Sequence, residues 1–423
     1  MNNPDPSSSA QAAPPSQTST PIGMPFAEFI SLLALMMALT AFSVDIMLPA
    51  LPEIGDAFSV TDENHRQLLV GVYMLGFALG QIIYGPFSDR FGRKPILYVS
   101  LTVYLVGTVL CMLAPEFGHL LIGRLVQGIG CGGPRVIAIA IVRDRFEGRG
   151  MSRVMSFVMM VFIIVPVIAP SVGGAIGAFG PWVWIFAFLL LVGVVLFIWA
   201  GLRLPETCPP EDRTPLTPAG LYRAAATVLT TRQTVGYAMS LGFMFGTLIG
   251  YVSSAQQIYQ GVFGLGASFP IFFGAVAIFM SGASLANARL VERLGMRRLS
   301  HSALVVMALI LFVLMVLDEI APVSLLTFSV MFGMAFFCVG LILPNFNAIA
   351  MEPLGKVAGM ASSLIGAYMT GMGAILGTLI GQQFDGTAQP LTRGLAAFAV
   401  ASLVAVFITE RGRLFGVGES HKR

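Results

Sequence analysis

From Phe26 onward the chain alternates long apolar runs with short polar breaks. The runs cover roughly residues 26–51, 67–86, 95–114, 118–142, 152–178 and 182–202. After a polar stretch they resume at roughly 236–260, 268–288, 301–317, 322–349, 357–381 and 392–409. Such runs are long enough to cross a bilayer as helices of about 20 residues. Between the second and third runs lies GPFSDRFGRK, Gly85 to Lys94, where Asp89, Arg90, Arg93 and Lys94 crowd into one stretch. The flanks, Gln67 to Tyr84 and Pro95 to Leu113, contain no Lys, Arg, Asp or Glu. The charged stretch is therefore expected as a very tight turn between two membrane helices, with Gly85, Gly92 and Pro95 allowing the reversal.

The pattern predicts an all-α integral membrane protein of twelve transmembrane helices in two six-helix bundles. Composition agrees: 56% of the 423 residues are hydrophobic and 11% charged, whereas soluble domains carry about a quarter charged residues. Residues 1–24, rich in Pro, Ser, Ala and Gln, are expected as a disordered cytoplasmic tail without the basic start of a signal peptide. The bundles are placed at 25–202 and 236–410, joined by a cytoplasmic linker at 203–235 that includes the proline-rich run RLPETCPPEDRTPLTP, and followed by a tail at 411–423. The four cysteines are scattered without metal or disulfide spacing, so no metal site and no redox chemistry are expected.

Charge placement sets the orientation. Of 24 Lys and Arg residues, twenty fall in the even-numbered connections and the C-terminal tail, two (Arg66 and Arg393) fall on the other side, and Arg124 and Arg135 lie inside span 4. By the positive-inside rule both termini are expected in the cytoplasm. The net charge of +3 adds little, and nothing suggests nucleic-acid binding. An internal echo supports two halves: ERLGMRR repeats the pattern of DRFGRKP at a constant offset of 203 residues, from Asp89 to Glu292 and from Gly92 to Gly295. A parallel repeat of this kind places a substrate site where the halves meet.

Five stretches carry a family resemblance. GPFSDRFGRKP between spans 2 and 3, GRLVQGIGCGG at Gly123 to Gly133, VPVIAPSVGGAIG at Val165 to Gly177, and DIMLPALPEI with VRDRFEGR resemble the major facilitator superfamily. More narrowly they are similar to its drug:proton antiporters of the bicyclomycin and chloramphenicol resistance type. One departure is Ala169 before Pro170, where that family often has Gly. The resemblance implies a multidrug efflux antiporter in the bacterial inner membrane. It makes Gly85, Asp89, Arg90, Gly92, Arg93 and Lys94 a gate motif, in which Asp89 meets the positive end of the span 11 helix near Val357 when the inner gate is shut. It also implies that Pro166, Pro170, Gly173, Gly174 and Gly177 shape a helix that packs against the other half and limits leakage.

The intramembrane charges point to the chemistry. Asp45, Arg124 and Arg135 each carry a penalty of at least about 2.5–3.5 kcal/mol at the middle of the membrane, so each is expected to face a cavity or a partner. Asp45 and Arg124 lie at similar distances, roughly 9 Å, from one membrane boundary, and Arg135 sits about 16 Å deeper on nearly the same face as Arg124. Asp45 is the expected proton carrier, held or released by Arg124. The alternative is a structural pair locking spans 1 and 4. The second half has no counterpart, since the 203-residue offset leads to Leu248 and Thr327. Gln81, Gln127, Gln256, Gln257, Asn345 and Asn347 are amides at membrane depth, of which Gln127, Gln256 and Asn345, with Arg135, are the preferred candidates for the substrate cavity; helix bridging is the alternative for the amides and exposure to cytoplasmic water that for Arg135.

No GxxxxGK[ST] phosphate loop occurs, so a proton gradient rather than ATP is the expected energy source and no organic cofactor is implied. No nucleophile and base cluster in a span, so an enzyme is not expected. The expected partners are the lipid bilayer and a small amphipathic or apolar solute, and a monomer is expected. Two other readings are an exporter of one endogenous metabolite and a membrane sensor or scaffold without transport.

Overall fold

The protein is seen in a computed structural model that describes residues 23–146, 148–213 and 217–416. The expected terminal tails therefore fall largely outside the described residues, as 1–22 and 417–423. The described chain is helical throughout. Its twelve principal helices are α1 (Phe26–Asp45), α2 (Leu68–Phe91), α3 (Arg93–Met112), α4 (Phe117–Arg145), α5 (Gly148–Phe179), α6 (Val183–Arg203), α7 (Arg232–Gln256), α8 (Phe269–Leu294), α9 (Met296–Ile320), α10 (Leu325–Met351), α11 (Ala358–Gly381) and α12 (Gln389–Thr409). Among the described residues eleven helices are long and apolar enough to cross a membrane, and the described apolar part of α5, Ile164–Phe179, is shorter.

Two of the expected boundaries moved. The charged stretch after Gly85 is not a loop: α2 continues through Pro86 to Phe91, and only Gly92 leaves the helical path before α3 starts at Arg93. Gly92 does this at φ 102°, ψ 157°, and Gly295 makes the same break between α8 and α9 at φ 78°, ψ 155°. Both values lie in the region that favours glycine, so the 203-residue echo is a repeated backbone corner as well as a repeated charge pattern. The linker, expected as a polar stretch, contains a helix of 13 residues at Pro218–Thr230, too short to span a bilayer. Thr217 caps it by accepting from Gly220 N, with Pro218 at the first helical position.

Within the first half, α4 packs between α2 and α3 through residues that lack a side chain. A Cβ on Gly128 would meet the Tyr73 carbonyl at 2.1 Å, and one on Gly130 would meet Tyr104 N at 2.1 Å. The halves touch along two pairs of helices. Gly85 and Gln81 of α2 meet Ser363 and Thr370 of α11, with Gln81 Nε2 donating to Thr370 Oγ1 at 3.1 Å, and Val167 of α5 meets Gly274 of α8. Under the repeat α2 corresponds to α8 and α5 to α11, so exchanging the halves turns one pair into the other.

The two ends of this seam are held differently. At the end away from the chain termini, Asn64 Nδ2 donates to the carbonyls of Gln382 (3.2 Å) and Phe384 (2.9 Å), and its Oδ1 accepts from Gln257 Nε2 (3.2 Å). Gln67 Nε2 also donates to Gln257 Oε1, and Gln382 Nε2 to the Asn64 carbonyl. These amides tie the halves together. At the termini end the ion pairs formed by described residues stay within one half: Arg203 with Glu28, Arg93 with Asp89 and Asp144, and Arg297 with Glu352 and Glu410.

Candidate functional site

A cavity of about 460 Å³ lies between the halves, within the size range of small-molecule sites. Asp45, the last residue of α1, lines it with Thr40, Ala41 and Val44 from the same helix. The helix breaks there because Pro49 and Pro52 follow, one in a short 3₁₀ turn and one at the start of the next helix, and neither ring nitrogen can donate. From α4 comes Arg135, its guanidinium carbon 5.6 Å from the centre of the Phe77 ring. The second half supplies an apolar wall with Phe245, Tyr251, Phe273, Met280 and Phe336, and the amide of Asn347. Tyr251 stacks on Phe273 at 5.7 Å and leans on Phe336 at 4.8 Å, and its hydroxyl donates to the Tyr259 oxygen at 3.4 Å. The cavity extends past Gln81 and Gly85 to Ser88, Asp89, Arg93 and Arg143 at the termini end, where Arg143 is exposed.

Arg124 stands apart from this cavity. Fully buried in α4, it donates through Nε to the Leu69 carbonyl (3.1 Å) and through Nη1 to Gln127 Oε1 (2.6 Å), and it lies 4.3 Å over the Tyr73 ring. Gln127 passes the chain on to Thr108 Oγ1 at 2.9 Å. Among the described residues Arg124 forms no ion pair with Asp45, and Asp45 has no hydrogen-bond partner. Their similar distance from one boundary does not bring them together, because Arg124 turns toward α2 and α3. The structure thus gives Arg124 and Gln127 to a polar network that binds three helices of one half.

The other cavity candidates divide. Arg135 lines the cavity, whereas Gln256 at the end of α7 bonds to Gln260 Oε1 (2.9 Å), and Asn345 donates to Asn287 Oδ1 (2.6 Å) and the Leu341 carbonyl (2.7 Å). Neither of those two faces the cavity. Their places are taken by Gln81 and Asn347, two positions that helical periodicity could not separate from their neighbours because these helices are apolar all round.

The charged corner forms a compact cluster. Arg93 is almost fully buried. It donates to Ser88 Oγ (2.8 Å), Asp89 Oδ1 (2.5 Å) and both oxygens of Asp144 (2.8 and 3.2 Å). Arg143 lies 3.8 Å from Asp89, and Lys94 Nζ donates to the Gly201 carbonyl at 2.8 Å. Arg90 lies over Phe91 at 5.4 Å. The ion partners of Asp89 are in its own half, and the side chains of residues 356–360, where α11 begins, lie outside the described residues. Glu206 was not expected here. Its carboxylate accepts from the backbone nitrogens of Arg93 (2.9 Å) and Lys94 (3.1 Å), closing the start of α3 with an anion as the helix dipole favours. Its sequence signal was one of three acids in a proline-rich linker, with nothing to separate it from Glu211 and Asp212.

Along α5, Pro166 lines the cavity and Gly173 lies against the Ile46 carbonyl, where a Cβ would come within 1.8 Å. Pro170 is buried, and Cβ atoms on Gly174 and Gly177 would meet nothing within 4 Å. The five motif residues therefore have different surroundings: one shapes the cavity and one lets the chain after α1 approach.

Comparison with known proteins matches residues 33–378 to the Major Facilitator Superfamily. The chain is 32% identical over 388 residues to the bicyclomycin resistance protein homolog of Haemophilus influenzae, covering 90% of this chain and 96% of that one. It is 25% identical over 353 residues to multidrug resistance protein D of Escherichia coli, covering 82% and 87%. Among solved structures, the partially occluded inward-open xylose transporter XylE of E. coli superposes with a TM-score of 0.71 at 13% identity, over 93% of this chain and 99% of that one. That likeness is one of fold.

Proposed function

The chain belongs to the major facilitator superfamily, its homologues and fold are those of transporters rather than enzymes, and we propose that it is a proton-coupled exporter of amphipathic drug-like solutes working by alternating access. The observation that carries this reading is Asp45, a carboxylate without a partner among the described residues, in a largely apolar cavity between two halves whose described hydrogen bonds tie them at the end away from the termini. A proton and a solute can then compete for one site that is exposed to one side at a time, which is the requirement for exchange. The relatives named for bicyclomycin resistance and multidrug resistance support drug-like solutes. The basic residues collected at the termini end support a bacterial inner-membrane protein with that end in the cytoplasm. The state described is then inward-facing, with the amide seam as the closed outer end.

The test is transport in proteoliposomes with an imposed pH gradient. Wild-type protein should couple solute movement to proton flux. Asp45→Asn should abolish pH-driven transport, any remaining solute counterflow being indifferent to the gradient; full pH-driven transport by that variant would overturn the assignment.

A further inference from the structure

Among the described residues five charged side chains line the cavity, and they fall into two groups. At the mouth Asp89 pairs with Arg93 at 2.5 Å and Arg143 at 3.8 Å, and Arg93 pairs also with Asp144 at 2.8 Å, so two acids balance two bases. Deeper in, Asp45 and Arg135 line the same space yet pair neither with each other nor, among the described residues, with any other charged group. Among the described residues Arg135 makes no hydrogen bond or ion pair and lies over the Phe77 ring, so its N–H donors are free toward the cavity. Its neighbour in the helix, Arg124, shows the contrast, with two of its nitrogens bonded. A charge removed from water and left unpaired is unfavourable. Two opposite ones in a single cavity call for a ligand that brings both counter-charges.

We propose that the cavity takes a dipolar solute: a protonated amine at Asp45, a carboxylate or similar anionic group at Arg135, and an apolar or aromatic body against Tyr251, Phe273 and Phe336. The chemistry of the walls sets this orientation. Among the described residues the second half contributes no ionisable acid or base to the lining apart from the Tyr251 hydroxyl, so both charged ends of the solute belong to the first half and its body to the second. The guanidinium is a planar donor fork suited to a carboxylate, and stacked rings accept an aromatic body and the flank of a cation. An amine at Asp45 competes with a proton for the same carboxylate, so this solute class deepens the exporter reading and rests on it.

Three matched fluorescent probes test the charge requirement on the full-length protein in detergent: Nε-dansyl-lysine with both charges, dansylcadaverine with the amine alone, and N-dansyl-6-aminohexanoate with the carboxylate alone. Wild-type protein should bind the dipolar probe about tenfold to a hundredfold more tightly than either single-charge probe, the range set by one charged hydrogen bond. Arg135→Gln should reduce the dipolar probe to the affinity of dansylcadaverine and leave dansylcadaverine itself unchanged. Asp45→Asn should reduce it to the affinity of the carboxylate probe. Each variant retains one probe, which separates loss of a contact from loss of the fold. Equal binding of all three probes by wild-type protein, binding of none, or an unchanged dipolar affinity in Arg135→Gln overturns the dipolar site. Absence of proton-coupled transport with this probe pattern intact would instead overturn the exporter reading and keep the site.

Discussion

Asn64 offers the sharpest handle on the conformational equilibrium. Its side chain makes three hydrogen bonds across the seam, donating to Gln382 and Phe384 carbonyls and accepting from Gln257. Asn64→Ala removes all three. The residue is half-buried, so the lower part of the usual range applies, about 0.5–0.7 kcal/mol for each bond, or about 2 kcal/mol in total. Because those bonds exist only while the far end is shut, their loss should shift the equilibrium toward the open form by roughly 30-fold. Cysteine labelling reads this population. The four natural cysteines are buried, and Ala41→Cys places a thiol on the cavity wall. Labelling of that thiol by a membrane-impermeant maleimide applied from the outer side should accelerate at least about tenfold in the Asn64→Ala background. An unchanged rate from that side would show that the amides do not hold the gate.

Two further outcomes probe the packing. Gly173→Ala drives a methyl group into the Ile46 carbonyl and should destabilise the protein by about 1–3 kcal/mol, whereas Gly177→Ala, with open space around it, should leave the thermal unfolding midpoint in detergent level or slightly higher. Equal effects at the two positions would contradict the close approach of α5 to the end of α1. At the charged corner, Arg93→Ala strands Asp89 and Asp144 and should lower stability by about 2–4 kcal/mol. Adding Asp144→Ala should restore part of that loss, because the second substitution removes one stranded charge; strictly additive losses in the double variant would refute coupling between them.

The twelve-helix architecture was legible because its cause is local. A bilayer leaves backbone groups no partner outside the chain, so long apolar runs fold as helices wherever they occur, and the polar breaks mark their ends. The repeat was legible for the same reason: Gly92 and Gly295 recur at one offset and make one backbone corner. Asp45 and Arg135 were visible as charges out of place, and both line the cavity.

Tertiary structure decided which polar residues meet. Arg124 and Asp45 looked like a pair from their placement along the helices, but rotation about the α4 axis turns Arg124 toward the Leu69 carbonyl and Gln127. Asn345 and Asn347 are two residues apart on a helix with no polar face, and only the packing of α8 against α10 assigns one to Asn287 and the other to the cavity. Glu206 reaches the start of α3 from more than a hundred residues away, and Asn64 bonds with residues more than three hundred away. Contacts at such separations are set by how apolar helices fit together, and their shape complementarity leaves no periodic mark on the chain. The sequence by itself determined the number of membrane helices, the repeat and the presence of buried charge. The packed halves alone decided which of those charges face the cavity between them.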